Sequence, residues 1–127
     1  MAQRTPAPRA RFVVADVCRL DCAAGSVGMM VDKATLDTLC NVSAAAGAAM
    51  LREAARVLRS DGVFLCITTG APEERLPPLL SGGEVDIDLG GEACASDAPR
   101  RFELLQHTEL RRGTLLFHAY ALRRCAA

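Results

Sequence analysis

The residues best equipped for chemistry stand where apolar runs end. VGMMVD closes on Asp32, and Lys33, Thr35 and Asp37 follow at once; VVADV carries Asp16 ahead of Val17 and Cys18; VFLCITTG closes on Thr68, Thr69 and Gly70. Carboxylates and hydroxyls accept hydrogen bonds, and a carboxylate also attracts a cation, so three such ends on one rim make a candidate binding site. Each residue has a structural competitor. Asp16 and Asp32 read either as ligand contacts or as caps on the turn after a strand. Lys33 and Asp37, four positions apart, read as a surface ion pair, the reading adopted for Asp37. His107 and His118 lie far along the chain from this cluster and read as partly buried strand residues.

A rim requires strands to carry it. RFVVADV (residues 11–17) is β-branched and continuous, as a parallel strand covered on both faces would be, and VGMMVD and VFLCITTG have the same profile. Thr35 or Asp37 would cap a short turn after the second run. Between the second and third runs, VSAAAGAAMLREAARVLRSDG places Met50, Leu51, Ala54, Val57 and Leu58 in one helical stripe, with Ser43 as N-cap and Gly62 as terminator. The connection is long enough for a strand, helix, strand crossover. PEERLPPLL has room for a turn or two of helix before Pro77 and Pro78 stop it. SGGEVDIDLGGEACASDAPR reads as a loop that orders with a partner. FELLQHTEL and TLLFHAYALRR flank RRG as an antiparallel hairpin closing the sheet. In open α/β sheets ligands bind outside the carboxyl ends of the strands, which is where the polar clusters fall.

Composition narrows the class. The chain has 127 residues, half of them apolar, enough for one domain with its own core, and no repeat or internal boundary is visible. Its formal charge of zero gives no field to recruit nucleic acid or an anionic membrane, although Arg100, Arg101, Arg111, Arg112, Arg123 and Arg124 make the last third locally basic. The apolar runs are too short to span a bilayer and the opening residues lack a secretory stretch, so the expected location is cytoplasmic. Six cysteines without C-x-x-C spacing read as buried free thiols, and no metal site is expected.

Four segments together, VVADVCRL, SVGMMVDKATLDTL, MLREAARVLRSDGVFLCIT and the closing hairpin, resemble class I, Rossmann-like S-adenosylmethionine-dependent methyltransferases. DKATLD looks most like the methyltransferase-like group that includes lysine methyltransferases of an elongation factor and of citrate synthase, where a D-K-G-T-x-D stretch follows strand four. The resemblance implies S-adenosylmethionine as cofactor and a protein lysine as methyl acceptor. It places Asp16 on the adenine amine with Val17 and Cys18 beside the ring, and Asp32 with Lys33 at the methionine end, near the incoming nucleophile. Methyl transfer then depends chiefly on aligning nucleophile, methyl group and leaving sulfur.

The departures from that pattern matter equally. Ala34 stands where the nearest relatives have glycine, and Gly28 where an acid is common. The first unit of the family fold, a strand, glycine-rich turn and helix around the cofactor, has no counterpart before Arg11. The expectation is therefore an N-terminally truncated methyltransferase sheet over residues 11–124, preceded by a disordered segment over 1–10. In the family's strand order, 3-2-1-4-5-7-6, losing strands one and two leaves two unpaired apolar edges, which must pair with each other, recruit another chain, such as a second copy in a homo-oligomer, or leave the fold prone to aggregate. The alternative is a non-catalytic remnant serving as an interaction or dimerisation module. A dinucleotide-dependent oxidoreductase ranks third, for want of a glycine fingerprint.

Overall fold

Two of the three apolar runs become strands. In the computed structural model, which describes residues 9–84 and 100–126, β1 (Val27–Lys33) and β2 (Leu58–Thr68) lie parallel, in register from Met29 opposite Val63 to Lys33 opposite Ile67. Their connection holds α1 (Thr35–Val42) and α2 (Ala44–Val57). The Ser43 hydroxyl caps α2 by accepting the Ala46 N–H at 3.1 Å, and the expected stripe from Met50 to Leu58 is buried.

Gly62 does not end this helix. The chain turns extended at Leu58, whose side chain is drawn into the core, and β2 begins there. Residues 59–62 then form an irregularity inside the strand, with Asp61 in the left-handed region at φ 64° and the pairing shifting between Val27 and Met29. Gly62 serves this tight passage, since a Cβ there would come within 2.8 Å of the Arg59 carbonyl oxygen.

Past the rim, α3 (Pro72–Ser81) runs through both internal prolines, longer than the sequence suggests. A proline frees the carbonyl four residues earlier, here on Glu73 and Glu74, and both residues are exposed to water that can replace the lost bond. Gly82, left-handed at φ 63°, closes the helix. The expected hairpin is present as β3 (Phe102–Arg112) and β4 (Leu115–Arg124), turning at Gly113.

The sheet order is β1-β2-β4-β3, with β4 antiparallel to both neighbours. That is the order expected for the last four strands of the family named above. One face carries the core: Phe64 and Cys66 of β2, Tyr120 and Leu122 of β4 and Phe102 of β3 pack with Leu36, Leu51, Ala54 and Leu79 from the three helices. On the other face Met29 and Val31 are exposed, and Leu65, Ile67, Ala119 and Ala121 are half-buried.

The run RFVVADV is not a strand. Phe12, Val13 and Val14 are 97%, 71% and 106% exposed, and residues 11–15 belong to no helix or strand. Composition suits a strand, but a strand exists only beside a neighbour, and in the expected order two further strands would separate this segment from β1. Among the described residues neither is present. The residues assigned to a disordered start fall largely outside the described range, as does most of the acidic loop after Glu84.

Candidate functional site

The turn out of β1 is built by Asp32. Its Oδ1 accepts the Thr35 N–H and its Oδ2 the Leu36 N–H, each at 3.0 Å, satisfying two of the orphan donors at the start of α1. Thr35 and Asp37, the caps expected from sequence, do not perform this task. Ala34 takes the left-handed conformation at φ 69° that the tight turn needs, and its N–H donates to the Ile67 carbonyl at 3.0 Å. Asp32 is consequently only 6% exposed, with both oxygens engaged by the backbone. Lys33 beside it is exposed and, with Ala34, Thr35, Thr38 and Leu39, lines an open cavity of about 320 Å³.

Asp37 is not the partner of Lys33. It faces the end of β2, where Oδ1 accepts the Thr68 hydroxyl and Oδ2 accepts the Thr69 N–H at 3.0 Å and hydroxyl at 3.3 Å. From α3, Arg75 donates through Nη2 to Asp37 Oδ1 at 3.1 Å and through Nε to Thr68 Oγ1 at 3.2 Å. Burial pushes the Asp37 carboxyl up, but the bonds from Thr68, Thr69 and Arg75 outweigh it and hold the group below the ordinary aspartate range. Gly70 permits this closure: a Cβ there would overlap Cγ and Nε of Arg75.

The histidines belong to the same rim. His118 lies opposite Thr68 in the β2–β4 pairing and is buried; its Nδ1 is 2.8 Å from Nε2 of half-buried His107, with the rings stacked. Tyr120 stacks on His107 and donates its hydroxyl to the Gly70 carbonyl at 2.9 Å. Burial, with smaller contributions from nearby Cys66 and the acids of α3, raises the Tyr120 hydroxyl to about 12, so it stays a donor.

Asp16 occupies a separate turn. Its Oδ1 accepts the Cys18 N–H at 2.9 Å and its carbonyl the Arg19 N–H at 3.0 Å. Val17 and Cys18 pack against the core, and the segment is stapled to α2: the Cys18 thiol reaches the Ala46 carbonyl at 3.6 Å and the Leu20 N–H donates to Glu53 at 2.7 Å. Burial and the Asp16 carboxylate raise the Cys18 thiol, keeping it protonated. Asp16 is exposed, and no hydrogen bond or ion pair among the described residues joins it to Asp32.

The structure therefore brings Asp32, Lys33, Thr68, Thr69 and Gly70 to one rim with Asp37 at its centre, bound to Thr68 and Arg75 instead of Lys33, and adds three residues that sequence reasoning did not place there: Arg75, His118 and Tyr120. Only the TTG ending of β2 signalled them. The Asp16 turn offers an exposed carboxylate beside Val17 and Cys18. Asp32 fits direct contact with a ligand less well, because its oxygens are already bonded. Among the described residues no three histidine, cysteine or acidic side chains converge as a metal site, and no helix is long and apolar enough to cross a membrane.

No protein-family model matches the chain, and no curated protein matches it. The fold does have a counterpart among solved structures: a SAM-dependent methyltransferase from Methanosarcina mazei superposes with a TM-score of 0.61 at 14% identity, covering 98% of this chain and 71% of that one. The chain shares that protein's fold.

Proposed function

We propose that the chain belongs to an S-adenosylmethionine-dependent methyltransferase acting on protein lysine. The observation that carries this reading is the shared fold over nearly the whole chain, joined to a strand order that puts polar residues along one rim. S-adenosylmethionine supplies an electrophilic methyl group on a sulfonium. Asp16 receives the adenine amine, and Val17 and Cys18 offer the ring an apolar surface. Asp32 is a positioning residue: by holding the first turn of α1 it sets Lys33 and the cavity beside Thr35 and Thr38, which would receive the methionine end of the cofactor and the acceptor amine. With the cofactor bound, an acceptor nitrogen would displace the methyl group from sulfur, its proton passing to water. Alignment does most of the work in such a displacement. The lysine assignment rests on the likeness of DKATLD.

A second reading, a non-catalytic interaction module, is favoured by the exposed apolar residues of β1. Calorimetric titration of S-adenosylmethionine into the purified chain separates the two. Saturable binding that Asp16→Ala removes supports the first. A folded, monodisperse chain that binds nothing supports the second.

A further inference from the structure

Two unsatisfied features face solvent on this molecule. The first is the outer edge of β1. Among the described residues this strand is paired on one side, to β2, so alternate residues present unpaired backbone N–H and C=O groups along the other side, next to Met29 and Val31, 57% and 62% exposed. The second is the arm at residues 11–15, where Phe12, Val13 and Val14 project almost wholly into water without a partner strand. An edge lacks a strand, and a segment of strand-forming composition lacks an edge.

We propose that the chain forms a symmetric dimer in which residues 11–15 of each copy add as a strand to the β1 edge of the other. Side chains alternate along an added strand, so one register sets Phe12 and Val14 on the same face as Met29 and Val31. The arm does not satisfy its own edge: Asp16 turns back on Cys18 and Arg19, Cys18 and Leu20 are fastened to α2, and residues 11–15 join no strand of the described sheet. Reciprocal exchange counts every contact twice. The five apolar side chains then bring the interface to the order of 1,000 Å², about the minimum for a specific complex.

Sedimentation velocity of the chain across a range of concentrations tests it, alongside Val13→Pro/Val14→Pro and, separately, Val31→Lys. Adjacent residues point their N–H groups to opposite sides of a strand, so the paired prolines remove the donor in either register. Residues 11–15 are exposed and belong to no helix or strand, so these prolines are expected to leave the fold intact, checked by circular dichroism. The expected result is a dimer that both variants weaken at least tenfold. A monomer at every concentration overturns the proposal. So does a dimer indifferent to the prolines, whether or not Val31→Lys disrupts it, because its interface would then lie elsewhere.

Discussion

Arg75 Nη2 lies 3.1 Å from Asp37 Oδ1, an ion pair that joins α3 to α1 across the end of β2, with side chains only 10% and 14% exposed. Neither helix packs there through apolar contact alone. The pair and the two threonines of β2 lock three elements at the rim where a ligand would bind, so the rigidity of the candidate site depends on groups that titrate and hydrogen-bond.

Removing one partner leaves the other charged and largely desolvated. Arg75→Ala is expected to cost about 3 kcal/mol, and Arg75→Lys nearly as much, because one ammonium cannot serve both Thr68 Oγ1 and Asp37 Oδ1 with the fixed fork of a guanidinium. Urea unfolding of the two variants measures this; a Lys variant as stable as the parent would show that the fork geometry is immaterial.

Gly70→Ala acts through the same contact. The new methyl group must displace the Arg75 side chain, so the substitution should cost about 2 kcal/mol in the parent but under about 1 kcal/mol once Arg75 is alanine. A double-mutant cycle reads the difference directly, and additive effects would mean the clash is relieved by moving the backbone instead.

Two groups give opposite pH limits. Asp37 titrates lower in the folded chain than unfolded, so its contribution is complete above the ordinary value of 3.8 and is lost as pH falls from there through the folded value. Asp37→Asn should flatten this acid limb. Tyr120 titrates near 12 when folded against 10.0 otherwise, so between these values the unfolded chain releases a proton that the folded chain holds. Stability should fall there by up to about 1.4 kcal/mol per pH unit, and Tyr120→Phe should remove that component.

Ala34 holds a left-handed backbone that costs a residue with a Cβ roughly 1 kcal/mol. Ala34→Gly should therefore raise thermal stability slightly, by about 0.5 kcal/mol after the greater entropy of the unfolded glycine is allowed for. A lower melting temperature would show that the Ala34 side chain contributes packing that outweighs the strain.

The parts of this molecule governed by local period were legible in the sequence. The stripe on α2, its Ser43 cap, β1, the core of β2 and the final hairpin all follow from apolar spacing and turn residues. What escaped depends on contacts between distant positions. Asp37 has a neighbour of opposite charge at Lys33, and nothing local reveals that Arg75, thirty-eight residues away, binds it instead. Residues 11–17 look like a strand because composition records what a segment can do, whereas pairing depends on what stands beside it. Pro77 and Pro78 were read as stops because the cost of a proline depends on whether water can reach the carbonyls it frees.

The two ends of the sheet are unlike. β3 finishes it on one side with an irregularity between Leu104 and Gln106 and a row of exposed charges in Glu103, Glu109, Arg111 and Arg112, features that discourage further pairing. β1 has neither. Growth by strand addition is thus possible in one direction only, and two chains that meet through their bare ends present charged ends outward. Such a ribbon stops at two, which gives a protein with an open edge a route away from fibres.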